Sequence, residues 1–251
     1  MYNMRSVFWG QTPWSAPHIF LRCQILGELE NKSLPQKILY VVVTLLPMAI
    51  YMVIYMPTFF WVESIDHGAN FHVIHTAFDD MIPVIEVFII PYALWLPYLV
   101  AGMIAIAIRT RSISRKTSYM LMAGMTLFII ISLAYPNILE LRADIPEREN
   151  IFMDMINYLH SIDTPTDVLP SLHVYDAIVV AAGIHLAFPE KRIVLISSDT
   201  LTLLIVLSTV FIKQHSIIDV IAAFVIFIPV LIITCFVIKP VKKPALKTAN
   251  T

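Results

Sequence analysis

The sequence predicts an all-α membrane protein, a six-transmembrane helix bundle with an extracytoplasmic loop-helix segment. Of its 251 residues 58% are hydrophobic and 14% charged, against roughly 25% charged in an ordinary soluble domain. Six predominantly apolar runs approach the roughly 20 residues that a helix needs to cross about 30 Å of hydrocarbon. Lysine and arginine are distributed very unevenly between those runs, as they are in membrane proteins.

Taken in order, the expected spans are 38–60, 82–108, 117–136, 171–188, 192–212 and 215–238. The fourth is the shortest and most polar. Together they make one membrane domain over 37–238, followed by a basic cytosolic tail over 239–251. The N-terminal tail, 1–36, is cytosolic or interfacial: Phe8, Trp9, Trp14 and Phe20 are aromatic side chains suited to the headgroup layer. It has no short apolar core followed by a small-residue cleavage site, so no removable signal peptide is expected. Cys23 and Cys235 lie near opposite ends without a CxxC pair, which indicates neither a disulfide framework nor a zinc site. The net charge of −1 gives no reason to expect a nucleic-acid partner.

Charge placement sets the orientation, because lysine and arginine are retained on the cytoplasmic side. Fourteen of the seventeen fall in the N-terminal tail, the second and fourth connections and the C-terminal tail, leaving only Arg142, Arg148 and Lys213 opposite. Six spans then put both termini in the cytoplasm of a multi-pass protein, with the plasma membrane the expected location. The first outer connection, 61–81, holds Glu63, Asp66, Asp79, Asp80, His67, His72 and His75. His72 and His75 are three apart in a segment without helical periodicity, a spacing that does not compel ligation, so no metal site is assigned. In the longer outer connection, 137–170, Ile151, Phe152, Met155, Ile156 and Leu159 recur at helical spacing and predict a surface helix.

Ionisable groups at span ends need a reason, since each costs about 2.5–3.5 kcal/mol near a helix centre. His215 and Asp219 are spaced i, i+4, which places them on one face of the sixth helix with the carboxylate able to orient one imidazole nitrogen. The other nitrogen is then presented as a base or nucleophile. Lys213 offers a charge at the same depth, suited to a phosphoryl oxygen; the plainer account is a structural His–Asp pair and a snorkelling lysine. In Pro170-Ser171-Leu172-His173 the proline ends the loop and Ser171 caps a helix start, an anion-binding geometry with His173 in the first turn. Arg142 precedes this segment and suits a phosphate dianion, although Glu140, Asp144 and Glu147 compete for it.

These residues resemble the type 2 phosphatidic acid phosphatase superfamily, whose six-helix members share a core with vanadium-dependent haloperoxidases. Its second motif, Pro-Ser-Gly-His, is matched by Pro170-Ser171-Leu172-His173. Its third, a serine with histidine seven later and aspartate four after that, is matched by Ser208, His215 and Asp219. The first motif ends in Arg-Pro, and Arg142-Ala143 stands there. The resemblance covers roughly residues 80–238 and leaves the N-terminal tail unexplained.

The resemblance implies that His215 is a nucleophile forming a phosphohistidine, Asp219 its orienting carboxylate and His173 the acid that protonates the leaving group. Ser171 and Arg142 would hold phosphoryl oxygens. Three family positions differ: the first motif's lysine falls on Tyr135, the arginine after the third motif's serine on Thr209, and the second motif's glycine on Leu172. Position makes Lys213 the candidate to replace one missing cation. The expected activity is hydrolysis of a lipid phosphate or pyrophosphate on the extracytoplasmic side, with lipid phosphate and membrane lipids as partners and no cofactor. The Pro-Ser-Leu-His form also resembles the inositol phosphorylceramide synthase branch, so a phosphotransferase using an alcohol acceptor is the alternative, with 161–167 a connector that could shape the acceptor pocket. A lipid transporter or binding protein that has lost the chemistry is the alternative from another class.

Overall fold

In the computed structural model the described residues are 32–65, 70–146 and 148–237. Most of the N-terminal tail, Asp66, His67 and the basic C-terminal tail lie outside them. The helices in chain order are α1 (Leu34–Glu63), α2 (Ala77–Met81), α3 (Ile89–Ala93), α4 (Trp95–Arg109), α5 (Arg111–Ala134), α6 (Ile151–Ile162), α7 (Leu172–Ala187), α8 (Arg192–Phe211) and α9 (Ile217–Val237). Among the described residues five helical stretches are long and apolar enough to cross a membrane: Leu34–Glu63, Glu86–Arg109, Arg111–Ala134, Arg192–Phe211 and Ile217–Cys235. The chain is thus a mainly helical membrane protein.

Local chemistry explains where the helices begin. The Ser33 N–H donates to Gln36 Oε1 at 3.1 Å, leaving fewer open donors at the start of α1. Asn150 Oδ1 accepts from the Phe152 and Met153 N–H groups at 3.1 and 3.0 Å and starts α6. The expected second span is one apolar stretch in sequence but three helical pieces in space, a 3-10 turn over Glu86–Phe88 followed by α3 and α4. Pro91 and Pro97 lie in this stretch, and each lacks the N–H that would continue a helical ladder.

α7 is shorter than the five long stretches, and it occupies the centre of the bundle. Eleven of its sixteen residues are buried, packed among α4, α5, α8 and α9. A helix apolar on every face belongs in such a position. Its close packing depends on missing side chains: a Cβ on Gly124 of α5 would lie 2.0 Å from Tyr175 Cε1, and one on Gly102 of α4 would lie 2.4 Å from Val180 Cγ1. The Tyr175 hydroxyl then donates to the Met120 carbonyl at 2.8 Å. α4 and α8 are further tied by Tyr98, whose hydroxyl lies 2.7 Å from Ser198 Oγ and accepts from Thr202 at 3.0 Å.

One end of the bundle is closed by loops. Two short parallel strands, β1 (His72–Val73) and β2 (Asn137–Ile138), pair His72 with Asn137 and Val73 with Ile138. Asn137 organises this end: its Oδ1 accepts from the Val168 and Leu169 N–H groups at 2.8 and 3.0 Å, and its Nδ2 donates to the Tyr135 carbonyl at 2.9 Å. That fixes the approach to α7. α6, the expected surface helix, buries Met153 and Ile156 against Val84, Ile89, Tyr92 and Ile212, so it packs over the ends of α3 and α8. At the opposite end Arg109 donates to Glu190 at 2.5 Å and to the Ala187 carbonyl at 3.2 Å.

Candidate active site

His173 and His215 meet at the loop-covered end of the bundle. His215 Nε2 lies 3.4 Å from His173 Nδ1, and His215 Nδ1 lies 3.3 Å from Asp219 Oδ2. The three side chains therefore form a chain from carboxylate to imidazole to imidazole. Asp219 is fully buried; its Oδ2 also accepts from the Ser216 N–H at 2.9 Å, whereas its Oδ1 has no hydrogen-bond partner in the protein. A buried carboxylate held against one ring nitrogen fixes the orientation of that ring and leaves the other nitrogen to react.

His215 is not on α9, as the i, i+4 spacing predicts, but in the turn just before it, since the helix begins at Ile217. Lys213 makes that turn with φ of 57°. Beyond it the Gln214 and His215 N–H groups both donate to the Thr209 carbonyl at 3.0 Å. The turn still delivers the imidazole to Asp219, because the carboxylate sits in the first turn of α9 and faces back along it.

His173 lies in the first turn of α7. Ser171 starts that helix as expected, its hydroxyl accepting from the Val174 N–H at 3.4 Å, while its own N–H donates to the Asp219 carbonyl at 3.2 Å. This last bond couples the start of α7 directly to the first turn of α9. The His173 ring is packed between Tyr92 and Trp95, with centroids 4.6 and 4.4 Å away.

The expected cations both have partners within the protein. Lys213 is buried, and its Nζ donates to the Asp79 carbonyl oxygen at 2.6 Å. Arg142 donates to the Asp163 carbonyl at 2.6 Å, to Asp163 Oδ2 and the Thr164 carbonyl at 3.3 Å, and to Gln214 Oε1. Burial lowers the Arg142 pKa, and Asp163 and Tyr92 oppose that shift. Gln214 stands between the arginine and the histidines, donating to Asp163 at 2.9 Å and to the Tyr92 hydroxyl at 3.4 Å. The three departures from the family motifs also have defined surroundings. Tyr135 stacks on His72 at 3.9 Å, the Thr209 hydroxyl donates to the Val206 carbonyl at 2.8 Å, and Leu172 lines the cavity described next. Ser208 likewise turns its hydroxyl back onto its own helix, to the Ile205 carbonyl at 2.6 Å.

A cavity of about 360 Å³ opens onto the histidine pair. Asp163, Thr164, Thr166 and Gln214 line its polar part, and Met48, Met52, Phe59, Leu99, Met125 and Phe128 its apolar part. Such a shape suits an amphiphile with its polar end at the histidines. His72 and His75 lie elsewhere: His72 stacks on Tyr135 and His75 pairs with Asp80 at 2.6 Å, while His67 lies outside the described residues.

Two residues not singled out by the sequence support this site. Asp79, on α2, is buried and accepts from the Ser216 hydroxyl, the Ile217 N–H and Thr76. Gln214 joins Arg142 to the cavity. The only sequence signal for either is a polar residue beside a suspected histidine or in an acidic loop. No protein-family model, curated protein or solved structure matches the chain.

Proposed function

We propose that the chain is a membrane phosphatase that hydrolyses a lipid phosphate or lipid pyrophosphate through a phosphohistidine. The observation that carries this reading is the Asp219–His215–His173 chain at the polar end of an apolar cavity. His215 Nε2 attacks phosphorus, the bond from phosphorus to the lipid oxygen breaks, and His173 protonates that oxygen. A water then gives its proton to the neutral His173 and attacks the phosphohistidine. The N–P bond breaks, releasing phosphate and restoring His215.

The two nitrogens, 3.4 Å apart, are too close to bracket a phosphoryl group. An attacking atom alone needs about 3–3.5 Å to phosphorus, with the leaving oxygen beyond. Substrate entry therefore parts the rings; His215 is bonded to Asp219, so His173, which lines the cavity and has no carboxylate partner among the described residues, is the ring proposed to shift. Ser171 and Arg142 are the proposed phosphoryl ligands, with Arg142 acting beside or after exchange of its Gln214 contact. Lys213 is better suited to holding the Asp79 loop in place.

The arrangement proposed in the membrane has six spans, α7 being the short central one, both termini in the cytoplasm of a plasma-membrane protein, and the site facing outward. The retention of fourteen of seventeen cationic residues on one side supports it. The decisive assay uses purified protein in detergent with a long-chain phosphate. His215→Ala should abolish phosphate release; full activity in that variant would overturn the proposal. Supplying alcohols together with water shows whether the phosphoryl group is released or transferred.

A further inference from the structure

Apart from its polar part, the lining of the cavity at the histidines includes three residues with buried polar groups. Asp176 Oδ1, the Tyr55 hydroxyl and Trp95 Nε1 all line it or belong to residues that do, and each is buried without a hydrogen-bond partner in the protein. Asp176 and Tyr55 are 1% and 5% exposed, so solvent at the surface does not satisfy them. They come from three different helices, α7, α1 and α4. Buried polar groups are nearly always paired, and three unpaired ones on residues that line one cavity call for a ligand that pairs them.

Their position says which part of a ligand this is. Asp176 follows His173 by three residues on α7, a rise of about 4.5 Å along the helix. A phosphate at the histidines therefore places the second or third atom beyond its ester oxygen at the depth of Asp176. A carboxyl and a phenol can accept a hydrogen bond from a donor there, and an indole N–H can donate to the same oxygen. An isoprenoid or simple alkyl phosphate has no group at that distance, and a diacylglycerol phosphate has only ester acceptors.

We infer that Asp176, Tyr55 and Trp95 form a polar subsite that selects long-chain phosphates carrying a free hydroxyl or similar donor one or two carbons from the phosphoester. This rests on the phosphate position proposed above. It assigns Asp176 to substrate selection, a role separate from the Asp219 chain.

A pair of probes differing in one oxygen tests it: 1-O-hexadecyl-glycerol 3-phosphate and its 2-deoxy analogue, 3-hexadecyloxypropyl phosphate. Phosphate release is measured with the full chain in detergent, and binding with the His215→Ala variant. The hydroxyl probe should be preferred at least about tenfold, because its loss leaves buried groups unpaired. Asp176→Leu should bring the ratio close to one. Should that variant fail to fold, Tyr55→Phe, which removes a single oxygen, should lower the ratio. A ratio near one in the unaltered protein, or one unmoved by both substitutions, overturns the subsite. Discriminating binding with no phosphate released from either probe leaves the subsite standing and removes the phosphatase reading instead.

Discussion

Asp79 Oδ2 accepts a hydrogen bond from the Ser216 hydroxyl at 2.7 Å, joining residues 137 apart in sequence. Asp79 Oδ1 accepts from the Ile217 N–H at 2.9 Å, so the carboxylate caps α9 from another segment of the chain. Ser216 is also the residue whose N–H holds Asp219 Oδ2. The α2 segment thereby fixes the turn that carries His215.

Asp79→Asn should lower turnover with little change in KM, since it disturbs the aim of His215 and not the cavity. Loss of one charge-assisted acceptor is worth about 1.5–3 kcal/mol. Burial alone would raise the Asp79 pKa, but hydrogen bonds from Ile217, Ser216 and Thr76 outweigh it and hold the carboxyl below its ordinary value of 3.8. A depressed carboxyl stabilises the fold above that value and loses the contribution as pH falls through the lower folded value. The variant should therefore be less stable than the parent at neutral pH, with the gap closing only in strong acid. Thermal unfolding in detergent reads the gap, and equal stabilities at pH 7 would contradict this role.

Arg142 and Gln214 act as a pair. Both also bind Asp163; truncating Arg142 leaves Gln214 Oε1 without its donor, and truncating Gln214 removes one of the acceptors that hold the guanidinium. A double-mutant cycle of Arg142→Ala and Gln214→Ala should show coupling of about 0.5–3 kcal/mol in stability. Additive losses would mean that the contact does not hold the site. Arg142→Lys should behave nearly as poorly as the alanine variant, because a single ammonium cannot serve the Asp163 carbonyl, its carboxylate and Gln214 together.

Gly124→Ala tests the packing that centres α7. The new methyl would sit 2.0 Å from Tyr175 Cε1, a buried ring already tied through its hydroxyl to the Met120 carbonyl. Overpacking of this kind costs about 1–3 kcal/mol. The midpoint of thermal unfolding should drop, and adding Tyr175→Leu should recover part of the loss. An unchanged midpoint for the single variant would show that α5 and α7 separate easily.

The long helices were legible because a span of about 20 apolar residues is a one-dimensional signal. The sequence also placed an N-cap at Ser171 and paired His215 with Asp219 by spacing, and those contacts are present. What it could not show depends on distant partners. Lys213 and Arg142 are two of the few positive residues on the expected side of the histidines, but Lys213 donates to Asp79 and Arg142 to Asp163 and Gln214, contacts that no local pattern reveals. The turn before α9 was hidden because a positive φ at a lysine leaves no compositional mark. Similarly, nothing in the shortest and most polar of the six runs marks α7 as the centre of the bundle; its neighbours' glycines do so only once the helices are paired.

His160 gives the site a stability that depends on acid. It lies on α6, outside the long apolar helices, with Nε2 buried and without a hydrogen-bond partner. Burial, and after it the charge on Arg142, lower its pKa from 6.5 to about 4, against the opposing effect of a hydrogen bond with the Ile212 backbone. Between those two values the unfolded chain takes up a proton that folded His160 refuses. Stability from this residue is therefore fully present above about 6.5 and is lost as pH falls toward 4. Replacing it by leucine removes the titration together with the Ile212 bond. The variant should start less stable at pH 7.5 and lose less on acidification, so the two curves of melting temperature against pH should converge between pH 6.5 and 4. Parallel curves would show that His160 titrates alike in both states, and that α6 does not seal this end of the bundle against water.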